Sequence, residues 1–302
     1  MGFASQDGAG IDHVVLISID GFRPDFNLDT AWPAPTLQRM AREGAHVKIV
    51  RAVFPSETYP GHTTLVTGAL PRSHGIYYNV PFEADGPTGR YNWYASAVRV
   101  PTLWDAVRER GLKSASVLWP VSVGAPIDWN IPEIWSPDET ADSLGVLRLA
   151  TEPARLWMDL EQQVKEKLTV LGFMDRLARD VWGGRVAAYL LEQYRPALLA
   201  VHLVGVDYHQ HHSGREGEAV HRAVAATDQL VGQIVESARR AGIGDRTTFV
   251  VTGDHGFVDF DTLVSPNVWL VEAGLREERR DGDSWRAVFH RDGGSVFLRL
   301  RH

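Results

Sequence analysis

Cysteine is absent from this chain of 302 residues. Without a thiol, the protein can form neither disulfides nor thiolate metal sites, so cysteine chemistry says nothing about its compartment. Any bound metal ion must therefore be held by carboxylates, imidazoles or hydroxyl oxygens.

An excess of basic residues is also missing. Lys and Arg together number 31, against 38 for Asp and Glu, which gives a net charge of −7. This balance argues against a nucleic-acid polymer as a partner, but it permits a small phosphorylated ligand. It is also compatible with carboxylates that gather around cations.

Long apolar runs are missing as well. The first ten residues, MGFASQDGAG, lack a basic segment followed by an apolar one, and no apolar stretch approaches the length of a membrane span. The expectation is a soluble chain without a membrane partner, cytoplasmic by default. A signal peptide that had already been removed would leave the same sequence and would indicate a periplasmic or secreted protein. The oligomeric state is not predicted.

Apolar runs alternate with helical patterns along the chain, and 44% hydrophobic residues are enough for a sizeable core. Runs rich in Val, Ile, Leu and Phe predict strands buried on both faces at 13–20, 114–120, 197–207 and 247–256. Apolar residues at helical spacing, followed by Gly, predict helices at 35–44, 101–111 and 215–242. The alternation predicts a single α/β domain over 11–302, with a mostly parallel sheet covered by helices on both faces.

Residues 126–183 interrupt this alternation. The stretch PIDWNIPEIWSPDET, 126–140, is loop-like, and the residues that follow, through GFMDRLARDVWGG, have a helical pattern without a strand. This segment is predicted to be a small cap inserted into the α/β domain.

Carboxylates stand at the ends of three predicted strands. Asp20 ends the first strand, Asp207 the third, and Asp254 the fourth, where it precedes His255. Ligands bind beyond the carboxyl ends of the strands in open parallel sheets, so these carboxylates are predicted to converge on one pocket. Convergent carboxylates repel one another unless cations hold them, and oxygen and imidazole ligands without sulfur suit Zn²⁺ or Mn²⁺.

Asp207 is followed four residues later by His211 in DYHQHHSG, a spacing that one helical turn or a tight loop can bring to a single ion. Each motif also has an ordinary explanation. An Asp before Gly is common in turns, and His209, His211 and His212 would suit a solvated loop. Three strand ends with Asp, two of them with a nearby His, favour the metal site.

Thr58 lies in FPSETYPGHTTLVTG, residues 54–68, just before a predicted helix N-terminus. The unpaired N–H groups and the dipole at that end favour an anion or a developing alkoxide. A Thr hydroxyl is a poor nucleophile at neutral pH unless a divalent cation lowers its pKa. Thr58 is therefore either a metal-activated nucleophile or a plain N-cap.

Four segments together resemble the signature blocks of the nucleotide pyrophosphatases and type I phosphodiesterases of the alkaline phosphatase superfamily: LISIDGFRPDF, FPSETYPGHTTLVTGALPRSHGI, DYHQHHSG and TGDHGF. They occur in the family's order, and the resemblance covers nearly the whole chain. It implies an alkaline-phosphatase-like fold. It also implies zinc-dependent hydrolysis of a small phosphodiester or nucleotide pyrophosphate through a covalent phosphothreonine ester.

The resemblance implies two Zn²⁺ ions, with Mn²⁺ as a possible substitute. The first would be held by Asp20, Thr58, Asp254 and His255. The second would be held by Asp207, His211 and a third His, because the family's ligand His lies three residues before the Gly of DYHQHHSG.

The resemblance also implies roles around the phosphoryl group. Thr58 matches the family's nucleophile, and Asn79, in SHGIYYN, matches a donor to a non-bridging phosphoryl oxygen. Tyr59 matches a position that can stack on the base of the leaving group. His62 and His74 fall outside the ligand pattern and are predicted to be structural.

One block of the family is missing. The third His of the second site lies, in the family, in a GxHG block near the C-terminus, whereas this chain ends at SVFLRLRH. His290 and His302 are the His residues that follow His255, and neither has that context. The expectation is that the C-terminal part of the family domain is missing or that the second site is incomplete.

Two alternatives to a diesterase stay open. One is a hydrolase of the same superfamily that acts on phosphate monoesters or a phosphonate, and the other is a metal-binding protein without turnover, which the missing His favours. A monoester carries one more negative charge, and PSETYPGHTT, 55–64, contains no Arg or Lys to meet it. The nearest cations in the sequence are Arg51 and Arg72, so we expect the protein to hydrolyse diesters in preference to monoesters.

Overall fold

A computed structural model describes residues 10–301 except 84–87, 139, 166 and 278–283. Its centre is a parallel sheet with strand order β3-β2-β4-β1-β5. The strands are β1 (His13–Ile19), β2 (Ser114–Trp119), β3 (Trp129–Pro132), β4 (Leu198–Leu203) and β5 (Thr247–Thr252). Two small antiparallel pairs follow, formed by β6 (Arg276–Glu277) with β7 (Ser284–Trp285) and by β8 (Ala287–Asp292) with β9 (Ser295–Leu300).

The helices fall mostly between the strands. In chain order they are α1 (Asp25–Leu28), α2 (Pro35–Glu43), α3 (Thr58–Thr67), α4 (Pro71–His74), α5 (Leu103–Glu109), α6 (Ser143–Ala150), α7 (Ala154–Gln163), α8 (Val170–Met174), α9 (Arg176–Tyr194), α10 (Gly205–Ser213), α11 (Glu218–Arg240) and α12 (Pro266–Glu272). Within the described ranges, no helix combines the length and the apolar character that crossing a membrane requires.

Helices cover both faces of the sheet because successive side chains of a strand point to opposite faces. In β4, Leu199 and Val201 belong to the larger hydrophobic cluster, which includes residues of α9 and α11. Leu198 and Ala200 belong to a second cluster, with residues of α3 and α5. The predicted α/β class, with a parallel sheet between two helical layers, is confirmed.

Two of the predicted strands differ from the structure in detail. The third ends at Leu203, and Asp207 lies in the first turn of α10 rather than at a strand end. The fourth, β5, is not buried on both faces, since Val250 is 40% exposed. In the part of the chain that the structure describes, β5 pairs with β1 alone and forms an edge of the sheet.

The segment 126–183 does not lie wholly outside the sheet. The stretch predicted to be a loop contains β3, which pairs with β2 at the other edge of the sheet. The Pro residues of this stretch obscure a strand pattern in the sequence, and pairing with β2 orders it as a strand. Its end lies inside α9, which packs on β2 and β4. A cap role for α6, α7 and α8, between 143 and 174, stays a prediction.

Candidate active site

Asp20 and Asp254 lie side by side at the carboxyl end of the sheet because their strands, β1 and β5, are neighbours. The backbone N–H of Gly21 donates to Oδ1 of Asp254 at 3.2 Å and ties the two loops together. Gly21 has a φ of +64°, and a Cβ on it would lie 3.2 Å from Oδ1 of Asp207. A glycine here therefore lets α10 bring Asp207 close to Asp20.

Asp20, Asp254 and His255 form a group whose possible ligand atoms all lie within 4.8 Å of one another. Nε2 of His255 is 3.2 Å from Oδ1 of Asp20 and 3.5 Å from Oδ2 of Asp254. The two carboxylates are buried and the imidazole is half-buried. These are three of the four ligands expected for the first metal.

The polar atoms of this group fit a metal ion. Oδ1 of Asp20, Oδ1 of Asp207 and Oδ2 of Asp254 are buried and accept no hydrogen bond from the residues that the structure describes. Buried oxygens are normally hydrogen-bonded, and buried carboxylates gathered in one place are costly unless cations balance their charge. A donor set of oxygen and imidazole nitrogen suits Zn²⁺ or Mn²⁺.

Thr58 is the first residue of α3, so the helix begins three residues before the predicted GHTTLVTG segment. Glu57, in an extended conformation, occupies the N-cap position, which makes the plain N-cap interpretation of Thr58 wrong. The hydroxyl of Thr58 donates to Oδ2 of Asp20 at 3.4 Å. Its oxygen is therefore next to the first group of ligands and at the positive end of a helix.

Asn79 is held against the start of α3. The backbone N–H of Tyr59 donates to Oδ1 of Asn79 at 2.8 Å, and the backbone N–H of Asn79 donates to Oε2 of Glu57 at 3.4 Å. Because a backbone N–H needs an acceptor, the amide oxygen must face Tyr59. The NH₂ group of Asn79 is then turned to the other side, where it can act as a donor.

Asp207 and His211 meet across one turn of α10, with Nε2 of His211 3.4 Å from Oδ1 of Asp207. His212 points elsewhere: its Nδ1 is 2.7 Å from the carbonyl of Tyr208, and its ring stacks on the Tyr208 ring. The helix thus pairs His211 with Asp207, while His212 packs on Tyr208.

A third His beside this pair is not found among the described side chains. His290, on β8, lies edge-on to the ring of Tyr78 at 4.8 Å and near that of Phe82 at 5.4 Å. His302 lies outside the described residues.

Tyr59 is in the hydrophobic core, with 2% of its surface exposed, and its ring packs 5.5 Å from that of Tyr91. A ring enclosed in this way has no face for a substrate base. Its burial contradicts the predicted stacking role. The helix start explains the difference, since the first residue of α3 faces the site while the next one turns into the core.

Two buried His residues lie behind the first group. Nε2 of His202, on β4, is 3.1 Å from Oδ2 of Asp20, and Nδ1 of His62 is 2.8 Å from the carbonyl of Thr58. Their rings meet at 4.3 Å. The sequence predicts a structural role for His62 and does not place His202 among the site residues. The sequence signal for His202 is a His in the middle of the apolar run ALLAVHLVG.

Cations also come from the segment predicted to be a cap. Arg179, on α9, forms an ion pair with Glu133 at 3.6 Å. Arg176, at the start of the same helix, interacts electrostatically with Glu133 and Tyr208, and burial together with Arg179 lowers its pKa. Within the described ranges, no carboxylate lies at salt-bridge distance from Arg176. The contact between α9 and α10, which brings Arg176 within electrostatic reach of Tyr208, could not be predicted from the sequence.

The charges of the site act strongly on one another. Although burial opposes it, the hydrogen bond from His202 and the close approach of the His255 imidazole hold the pKa of Asp20 well below its usual range. Burial, and then the charge of Asp20, raises the pKa of Asp254 to about 8. Burial disfavours the charged form of His255, but the carboxylates around it raise its pKa to about 11. In the metal-free protein, protons on Asp254 and His255 therefore offset the carboxylate charge that a metal cation would otherwise balance.

The metal-free protein is expected to lose thermal stability as the pH rises from about 6.5 to about 9. Asp254, with its pKa raised from 3.8 to about 8, and His202, raised from 6.5 to about 9 by Asp20 and Glu133 against the effect of burial, both bind protons more tightly in the folded state. The contribution of each group is fully present below its ordinary pKa, 3.8 for Asp254 and 6.5 for His202, and is lost as the pH rises through its value in the folded protein, about 8 and about 9.

Melting curves in a chelator and in zinc, recorded across that pH range, test this expectation. The gain in melting temperature caused by zinc should increase with pH, because the cation replaces the lost protons. A metal-free melting temperature that rises over the same range would contradict the assigned charges.

A family model and similar curated proteins agree on one family. The model of the type I phosphodiesterase / nucleotide pyrophosphatase family matches residues 14–301. Ectonucleotide pyrophosphatase/phosphodiesterase family member 3 of Mus musculus is 25% identical over 257 residues, which cover 82% of this chain and 25% of that protein. Venom phosphodiesterase 2 of Crotalus adamanteus is 24% identical over 261 residues, with 84% of this chain and 28% of that protein covered.

Solved structures show the same fold. Murine ectonucleotide pyrophosphatase/phosphodiesterase 5, an inactive Thr-to-Ala variant in complex with AMP, matches with a TM-score of 0.53 and 21% identity. The match covers 81% of this chain and 57% of that one. The chain spans about a quarter of the length of the curated relatives it matches.

Proposed function

Because the chain belongs to the type I phosphodiesterase / nucleotide pyrophosphatase family, we propose that it hydrolyses phosphodiester or nucleotide pyrophosphate bonds with Thr58 as the nucleophile. The observation that carries the proposal is the position of the Thr58 hydroxyl. It lies 3.4 Å from Asp20, which belongs to a group of three possible metal ligands, at the first residue of a helix.

Asp20, Thr58, Asp254 and His255 would hold one Zn²⁺, and Asp207 and His211 would contribute to a second. Bound there, zinc would lower the pKa of the Thr58 hydroxyl and offset negative charge on the phosphoryl group. The backbone N–H groups at the start of α3 and the NH₂ group of Asn79 would donate to the phosphoryl oxygens. The hydrogen bond from the backbone N–H of Tyr59 to Oδ1 of Asn79 supports this role, because it leaves the NH₂ group to donate elsewhere.

The reaction follows in two displacements. The oxygen of Thr58 attacks phosphorus, the bond to the leaving-group oxygen breaks with its electron pair, and a phosphothreonine ester that still carries the other substituent is formed. Water then attacks the same phosphorus atom and breaks its bond to Thr58, which releases the phosphomonoester and restores the hydroxyl. One water molecule is consumed for each bond cleaved.

The relatives support this proposal without establishing it for this chain. Their names describe pyrophosphatases, phosphodiesterases and, for a Xenopus laevis protein 35% identical over 115 residues, a bis(5'-adenosyl)-triphosphatase. The murine structural neighbour is described as inactive after a Thr-to-Ala change and as a complex with AMP. Because several relatives are named as ectonucleotide or venom enzymes, the cytoplasmic default is not confirmed.

A phosphomonoesterase is the second candidate, and Arg176 is the observation that favours it. Arg51 and Arg72, the cations nearest to Thr58 in the sequence, are exposed, and Arg179 is paired with Glu133. Arg176 lacks such a partner among the described residues and could meet the additional charge of a monoester.

The two candidates predict opposite substrate preferences. For the wild type, we expect kcat/KM for the nitrophenyl ester of thymidine monophosphate to exceed that for nitrophenyl phosphate by about tenfold or more, since the stretch PSETYPGHTT around Thr58 supplies no Arg or Lys for the extra charge. The Arg176→Ala variant should change that ratio little, and Arg51→Ala is a control with an exposed cation. A monoester preference that Arg176→Ala removes would establish the second candidate. Zinc binding without turnover of either ester would indicate a metal-binding protein.

A further inference from the structure

His202 lies in the middle of β4, where the surrounding pattern requires an apolar side chain. It is 1% exposed and points to the same face of the sheet as Leu198 and Ala200, the face that α3 covers. An imidazole at such a place costs free energy unless its nitrogens are hydrogen-bonded. Its two partners therefore reveal what the residue does.

Both partners of His202 are hydrogen-bond acceptors. Nδ1 lies 3.1 Å from the carbonyl oxygen of Leu118, and Nε2 lies 3.1 Å from Oδ2 of Asp20. The carbonyl of Leu118 belongs to the neighbouring strand β2, which fixes the plane of the ring. Nε2 is then aimed at one particular oxygen of the Asp20 carboxylate.

The two oxygens of Asp20 have different surroundings as a result. Oδ2 accepts from His202 and from the hydroxyl of Thr58 at 3.4 Å. Oδ1 accepts no hydrogen bond from the described residues and lies 3.2 Å from Nε2 of His255, within the group of possible metal ligands. Without a donor on Oδ2, the carboxylate could rotate and present either oxygen.

We propose that His202 is a positioning residue that fixes the Asp20 carboxylate so that Oδ1 is presented to the metal of the first site. Groups that hydrogen-bond to metal ligands commonly orient them in this way. The inference rests on the metal site of the proposed function and does not require hydrolysis. It gives a buried His in a core strand a role beyond packing.

Two amide replacements separate the two hydrogen bonds. His202→Gln places an amide nitrogen near the position of Nε2 and can still donate to Asp20. His202→Asn places one near Nδ1 and can donate only toward Leu118. Both substitutions remove the ring, so a role in packing alone predicts that both lower the melting temperature, the smaller Asn more, and that their zinc affinities are equal.

Zinc affinity of the metal-free protein, measured by competition with a chromogenic chelator, gives the decisive comparison. We expect His202→Asn to raise the dissociation constant of the first zinc by about 10- to 100-fold and His202→Gln to raise it only a few-fold. The visible spectrum of the cobalt-substituted protein should change in the Asn variant and stay close to that of the wild type in the Gln variant.

His74→Asn is the matched control, because His74 is also fully buried but contacts Thr64 and the N–H of Ile76 on the α4 side. It should lower stability and leave zinc affinity unchanged. Equal zinc affinities for the Asn and Gln variants, or a wild type that binds no zinc, would overturn the inference. If the Asn variant does not fold, a folded Gln variant that loses as much affinity as Asp20→Asn would also overturn it. A zinc-binding wild type that cleaves no ester would refute the proposed function alone.

Discussion

Thr58→Ala is expected to reduce hydrolysis of an activated phosphodiester by about 10⁴-fold or more in kcat, because it removes the oxygen that attacks phosphorus. The backbone N–H groups at the start of α3 and the NH₂ group of Asn79 would remain. They can polarise the phosphoryl group but cannot form the covalent intermediate. The reaction is measured with the nitrophenyl ester of thymidine monophosphate at saturating zinc.

Thr58→Ser should keep part of the activity, since Ser retains an oxygen at the first position of α3. Thr67→Ala is the control on the same helix, because its hydroxyl bonds to the carbonyl of Thr63 at the far end from the site. Mass spectrometry of acid-quenched enzyme should find the nucleotidyl group on Thr58 in the wild type and not in Thr58→Ala. Wild-type turnover by Thr58→Ala would exclude Thr58 as the nucleophile and refute the proposed mechanism.

Asp254→Ala and His255→Ala are each expected to lose zinc together with activity. Both belong to the group whose ligand atoms lie within 4.8 Å, and the buried Oδ2 of Asp254 accepts no hydrogen bond from the described residues. Changing a residue that only hydrogen-bonds to a metal ligand lowers zinc affinity by about 10- to 100-fold. Removing one of the few ligands themselves should lower it by more. Zinc content per chain after gel filtration, set beside kcat/KM, gives the measurement.

Stability separates loss of a ligand from damage to the fold. Burial, and then the charge of Asp20, raises the pKa of Asp254, so its ionised carboxylate destabilises the metal-free protein, and Asp254→Asn should melt at a higher temperature than the wild type in a chelator at pH 9. Asp228→Asn is the control, because this buried carboxylate accepts from the N–H groups of Thr36 and Leu37 at the start of α2. It should lower stability and retain zinc. Unchanged zinc content in both Asp254→Ala and His255→Ala would exclude the first metal site.

The sheet and much of the candidate site could be predicted from the sequence because both depend on local pattern. A strand buried on both faces appears in the sequence as a continuous apolar run without polar alternation, and such runs predict β1, β2 and β4. Asp20 and Asp254 could be expected to meet, since the ends of parallel strands share one edge of the sheet. His255 follows Asp254 directly, and the helical spacing of Asp207 and His211 is also local.

Tertiary packing decided the rest. Pairing with β2 makes a strand of 129–132, and the orientation of α3 turns Tyr59 into the core while Thr58 faces the site. The contact between His202 and Asp20 joins residues 182 positions apart, across adjacent strands. The sequence pattern shows where apolar residues recur along a single element. This local information determined the strands and the positions of Asp20 and Asp254 just after β1 and β5. Which buried groups touch is set by strand order and helix orientation, and only the folded chain brought His202 to Asp20 and the arginines of α9 toward the helix that carries Asp207.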